Sequence, residues 1–212
     1  KLSDKTPITG FLVVWNQNPN HLGFQLKLAN AQQQKNATLM REIVGISELG
    51  IGKTVIEAKS YVVELQYAFQ YSEDTLLRPY FAARSATIKQ DAYTETGNNS
   101  PLSFNEINDI SATILLGLKF QTNLKEKLSL KGSVGVENDI KHKVDNLVPT
   151  GIPGLSPVSL SDEFKKTRPV VSLGFDYEQR SNHRFSGVIQ YQELPYQSKT
   201  ESNAYLYYTF GF

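Results

Sequence analysis

The stretch Ala204-Tyr205-Leu206-Tyr207-Tyr208-Thr209-Phe210-Gly211-Phe212 closes the chain and alternates with period two. In an extended strand, Ala204, Leu206, Tyr208, Phe210 and Phe212 share one face, while Tyr205, Tyr207, Thr209 and Gly211 share the other. The first face is apolar and aromatic; the second is semi-polar. A strand of this kind separates two environments, one greasy and one wet.

The same alternation recurs upstream. It predicts nine strands: 10–17, 22–31, 58–70, 77–90, 110–121, 127–139, 169–178, 184–194 and the terminal one. In the third, Tyr61, Val63, Leu65, Tyr67 and Phe69 oppose Glu64, Gln66 and Gln70. In the seventh, Val171, Leu173, Phe175 and Tyr177 oppose Ser172, Asp176 and Glu178. The fourth opens on Arg78-Pro79-Tyr80, and the proline suits a strand start or edge. Connections alternate in length: 18–20, 71–76, 122–126 and 179–183 are tight, and 196–203 is intermediate. Those at 32–57, 91–109 and 141–168 read as long loops.

Composition narrows the solvent question. The 212 residues carry a formal net charge of +1, with a sequence pI of about 8.0, which gives no reason to expect a nucleic-acid partner. Cysteine is absent, so disulfides and thiolate metal sites are excluded. No apolar run approaches the roughly 18 residues of a membrane helix. A mean hydropathy of −0.35 nevertheless suits a β-barrel, in which only alternate residues face lipid. Short turns on one side and long loops on the other are the habit of such barrels. The expected fold is therefore all-β, an antiparallel transmembrane β-barrel.

Strand parity adds a further expectation. If Phe212 ends at the periplasmic side, counting back through nine strands puts Lys1 outside the cell. Complete bacterial barrels have an even strand count with both ends in the periplasm. Either 10–17 is not a barrel strand and an eight-stranded barrel remains, or strands are missing at the N-terminus. Lys1-Leu2-Ser3-Asp4 opens no signal peptide, so residue 1 is not expected to be a natural start.

Two decoys carry little. Gly50-Ile51-Gly52-Lys53-Thr54 evokes a phosphate loop, but the first glycine position is Ser47 and Val55-Ile56-Glu57 leads into a strand, so a glycine-rich extracellular loop is expected. His21, His142 and His183 fall in predicted turns or a loop without a nucleophile pattern, and no enzymatic activity is expected.

Four segments in order carry a resemblance. They are Leu77-Arg78-Pro79-Tyr80-Phe81 with Asp91-Ala92-Tyr93-Thr94-Glu95, then Gly132-Ser133-Val134-Gly135-Val136-Glu137-Asn138-Asp139. Arg184-Phe185-Ser186-Gly187-Val188-Ile189-Gln190-Tyr191 with Pro195-Tyr196-Gln197-Ser198 follows, and 203–212 closes the set. Together they resemble the C-terminal translocator domain of classical type V autotransporters, across roughly 55–212. Asn138 departs from the family's usual aromatic or histidine. The resemblance implies that this chain holds the last nine strands of a twelve-stranded barrel. The first strands, the lumenal helix and the passenger would precede it, and 1–212 would be one N-terminally incomplete barrel domain.

It also implies a place and partners: the bacterial outer membrane, a lipid bilayer, periplasmic chaperones, the β-barrel assembly machinery and the chain's own passenger segment. No cofactor is implied. Ala204, Leu206, Tyr208, Phe210 and Phe212 would serve both as lipid-facing wall and as the assembly signal, read by strand addition. Inward-facing positions in this register are Lys27, Glu64, Arg78, Arg84, Lys119, Lys131, Glu137, Asp139, Asp176 and Glu178. Wall-to-wall ion pairing is one role for this set. Contact with the passenger is the other, since acidic lumen residues assist passenger self-cleavage in certain autotransporters. The rival readings are a complete eight-stranded outer-membrane protein with adhesive or structural loops, and a soluble ligand-binding barrel with its apolar face turned inward.

Overall fold

The computed structural model describes residues 6–42, 48–160, 166–180, 183–193 and 200–210. Phe212 and Gly211 lie outside them. The fold is an all-β antiparallel sheet of twelve strands, with no helix among the described residues. In chain order these are β1 (Thr9–Asn16), β2 (Gly23–Arg41), β3 (Gly50–Ser72), β4 (Thr75–Gln90), β5 (Tyr93–Thr96), β6 (Ser103–Phe104), β7 (Ile107–Lys125), β8 (Leu128–Val144), β9 (Pro149–Thr150), β10 (Thr167–Arg180), β11 (His183–Glu193) and β12 (Thr200–Phe210). The nine long strands form a simple meander, β1-β2-β3-β4-β7-β8-β10-β11-β12, each paired with its neighbour in sequence among the long strands. Among the described residues, β1 and β12 have no strand on their outer edges, so the sheet is not closed.

Register gives every long strand the same two faces. Leu28, Val63, Ala83, Ile114 and Asn138 lie opposite one another in turn, as do Val136, Leu116 and Phe81. The outward face is apolar and exposed, with Trp15, Phe24, Leu65, Phe81, Leu116, Val134, Leu173, Ile189 and Leu206 all on the accessible surface. In β3 this band runs from Tyr61 to Phe69, nine residues, which matches the strand length needed to cross hydrocarbon. Above Tyr61 the same face turns polar, with Lys59 and Glu57. Aromatics gather at the lower rim, where Phe24 meets Tyr67 at 5.0 Å and Phe185 meets Tyr208 at 4.8 Å between ring centroids.

The upper halves depart from the sequence reading. Residues 32–41 and 50–57 are strand, not loop: β2 and β3 stay paired without a slip from Gly23↔Ala68 to Arg41↔Gly50. Gly50-Ile51-Gly52-Lys53-Thr54 therefore opens β3 instead of forming a glycine-rich loop. Described parts of segments 91–109 and 141–168 form short strands as well. The β4–β7 register at Gln90↔Ile107 resumes at Tyr93↔Phe104, and the β7–β8 register at Asp109↔Val144 resumes at Phe104↔Pro149. Thus β5, β6 and β9 carry β4, β7 and β8 onward, and the wall rises above the apolar band on this side. His142 lies in β8 and His183 in β11, not in turns or a loop.

Pro79 sits inside β4, not at its start or at a sheet edge. It has no N–H to give, and the β3–β4 ladder lapses between Gln66↔Tyr80 and Phe69↔Leu77, while Pro79 still sits opposite Leu118 on the β7 side. The inner face holds a small apolar core of Tyr80, Ala82 and Leu115, packed by Val170. Gly117 and Gly135 make room for it: a Cβ there would approach the Tyr80 ring or hydroxyl at 2.6 and 2.9 Å.

Candidate functional site

The inner wall is the candidate site, because period-two register aims one polar side chain per two residues at the same space. Lys27 and Glu64 face each other across β2 and β3, with Nζ 3.3 Å from the carboxylate. Lys119 reaches over β4 to the same Glu64 oxygen at 2.5 Å, and its ammonium lies 4.4 Å from the centroid of the Tyr80 ring. Higher on the wall, Glu137 takes Arg84 at 3.0 Å on one oxygen and Arg168 at 2.7 Å on the other. Arg168 also pairs with Asp139. Its side chain is 3% exposed.

Lower down, Asp176 accepts from Lys131 at 2.7 Å and from Ser186 at 2.6 Å. Glu178 and Arg184 form an open pair at 2.8 Å. Contacts that skip a strand, such as Lys119–Glu64 and Arg84–Glu137, converge because these side chains project from the same face of the curved sheet. The structure thus brings Lys27, Glu64 and Lys119 into one group, Arg84, Glu137 and Asp139 into a second, and Lys131 with Asp176 into a third. Arg78 joins none of them; its only side-chain hydrogen bond among the described residues runs from Nη1 to Gln121 Oε1 at 3.4 Å.

Arg168 and Tyr80 were missed by sequence reasoning, whereas alternation in the eighth strand puts Ser186 on the polar face opposite Phe185. Alternation alone leaves Arg168 at the end of the loop 141–168, yet it shares the parity of Val170 and Ser172, and a strand begun one residue earlier includes it. Ala204, Leu206, Tyr208 and Phe210 lie on the outward face of β12, where His183 packs against Phe210 at 4.8 Å. Phe212 lies outside the described residues.

A second polar knot lies above the band. Glu95 on β5 is 4% exposed and receives Arg41 Nε and Nη2, each at 2.9 Å. Leu102 N–H and the Asn98 amide also donate to it, at 3.2 and 3.3 Å. The Arg41 guanidinium holds the Glu95 carboxyl below the usual glutamate range, against the opposing pull of burial. Gly50 and Gly52 permit the arrangement, since a Cβ on either would overlap Glu95 or the Tyr93 ring.

An exposed apolar band outside and an ion-paired wall inside describe a membrane barrel with a wet interior, and comparison with known families names the kind. The autotransporter beta-domain family model matches residues 57–192, more than half of the chain. The chain belongs to the autotransporter β-domain family. Such domains are outer-membrane translocators, so the bacterial outer membrane is where this one resides.

The translocator domain of the autotransporter NalP from Neisseria meningitidis has the same fold, with a TM-score of 0.69 at 19% identity over 98% of this chain. That match covers 66% of the NalP chain, so the autotransporter β-domain described here spans under two thirds of that solved translocator. The NanC porin aligns over 97% of this chain and 99% of its own, with 7% identity and a TM-score of 0.38, too low to carry an argument. A search of curated proteins finds no match. The autotransporter β-domain family is not an enzyme family. Both rivals fail on geometry. Thr9–Asn16 pairs along its whole length with β2, so it is part of the wall and an eight-stranded barrel is excluded. The large apolar side chains face outward, opposite to a soluble ligand-binding barrel.

Proposed function

We propose that this chain is the greater part of a translocator that anchors an N-terminal passenger in the outer membrane, supports its export and performs no chemistry itself. The observation that carries the reading is the division of one sheet into a continuous apolar face and an inner face of paired charges. A lipid-facing wall needs the first, and a hydrated path for polypeptide needs the second. In a nine-strand meander β1 and β12 run the same way, so their edges cannot meet as an antiparallel pair. Further strands preceding β1 would complete the ring, with a lumenal helix and the passenger joined ahead of them.

Ala204, Leu206, Tyr208, Phe210 and Phe212 serve as the assembly signal. β12 presents an unpaired edge together with an aromatic outer face, the features that strand addition by the assembly machinery would use after delivery by periplasmic chaperones. The test is surface display: the full-length protein is expressed in a Gram-negative host, and its passenger is probed with protease added outside the cell. Passenger cleaved from outside, and only when the barrel is present, is the expected result. Passenger that stays protected while the barrel assembles normally would overturn the reading.

A further inference from the structure

We infer that the rung of the inner wall through Arg78 holds an acidic side chain of the polypeptide that the barrel carries, with Arg78 as the group that pairs with it. The inference rests on the translocator reading. From Arg78 the register passes to Lys119, Ser133, Ser172, Gln190 and Asn203 on successive strands. All six share the inner face. Two are cations, four are neutral and polar, and none is a carboxylate.

The others on the rung have partners, Asn203 with the Glu201 carboxylate. Lys119 leans away to Glu64. Ser133 and Ser172 hydrogen-bond each other at 2.7 Å. Gln190 donates to Gln192 at 3.2 Å. Each of the other inner-wall cations described above, Lys27, Arg84, Lys119, Lys131, Arg168 and Arg184, touches a carboxylate. Arg78 has only its long bond to Gln121, and its Nε is shielded from solvent with no hydrogen-bond partner among the described residues.

A guanidinium is a planar fork matched to a carboxylate, and pairing the two gives charge-assisted bonds about twice as strong as neutral ones. Among the described residues, the other inner-wall arginines named above, Arg84, Arg168 and Arg184, each have that fork on a carboxylate. A half-buried arginine with a second cation beside it and no acid on its rung attracts negative charge from whatever passes through the lumen. A peptide meets that demand with aspartate or glutamate. Arg78 is thus a positioning residue for the carried polypeptide.

The test compares R78Q, R78E and R78K in the full-length protein with its passenger, following barrel assembly by heat-dependent gel mobility and passenger arrival by pulse-chase with external protease. Normal assembly is expected for R78Q and R78K. Passenger arrival should slow about tenfold in R78Q, on the scale of one charge-assisted pair, and clearly less in R78K, which keeps the charge without the planar fork. In R78E, changing one acidic residue of the polypeptide ahead of the barrel to lysine should restore arrival. Should R78E fail to assemble, R78Q against R78K decides the matter. Unmodified arrival in R78Q, or slowing that R78K shares, overturns the inference. So does R78E slowing that no acid-to-lysine change relieves. A passenger that reaches the surface without any barrel would instead overturn the translocator reading itself.

Discussion

Glu137 is the residue on which the upper inner wall depends most. It divides its two oxygens between Arg84 and Arg168, and the Arg168 side chain is almost fully enclosed. Removing one member of a buried pair leaves a charge unsatisfied, which costs more than the pair contributes. Glu137→Gln is expected to destabilise the folded barrel by about 3 kcal/mol, the low end for such a loss because Asp139 still holds Arg168. Denaturant unfolding in detergent micelles checks it. The outer face gives the opposite chemistry. Leu116→Lys or Leu173→Lys should each cost about 2–4 kcal/mol if these positions lie near the bilayer midplane, while Gln190→Lys, on the inner face, should cost little. Equal costs on the two faces in lipid vesicles would remove the assignment of inside and outside.

At the scale of elements, the upper wall is held by the Glu95 knot instead of by lipid. A carboxyl held below its unfolded value contributes stability that is present above the ordinary glutamate range, about 4.3, and is lost as pH falls through the lower folded value. Hydrogen-exchange protection of β5 and β6 should therefore persist at neutral pH and fall selectively below about pH 4. Gly52→Val should loosen the same strands at every pH, by displacing Tyr93 from its stack on Phe104 at 4.8 Å, and should leave β10 to β12 unchanged.

These upper strands also mark where the sequence stopped being legible. All nine long strands could be read from alternation, because inside the bilayer one face must be apolar and the other polar. Above Tyr61 both faces meet water, so Gln32, Gln33, Gln34 and Asn36 on β2 carry no period-two signal although they pair as regularly as Leu26 and Leu28. The inner-wall residues were legible by parity alone. Their partnerships were not, since Lys119–Glu64 and Arg84–Glu137 each cross an intervening strand whose position depends on curvature. Arg168 was lost for a simpler reason, a strand boundary drawn one residue late.

For the molecule as a whole, the central claim is that one sheet separates lipid from a wet lumen, as the autotransporter β-domain requires. The chain has no cysteine, so single cysteines can be placed one at a time along β7 from Ile114 to Gln121 without background. Labelling with a membrane-impermeant, water-soluble thiol reagent, in the protein assembled in outer membranes, tests the claim directly. Positions 119 and 121, beyond the Tyr80 cluster that encloses 115 and 117, are expected to label, and 114, 116, 118 and 120 to stay protected. Uniform labelling along the strand, or protection of 119 and 121, would contradict the account.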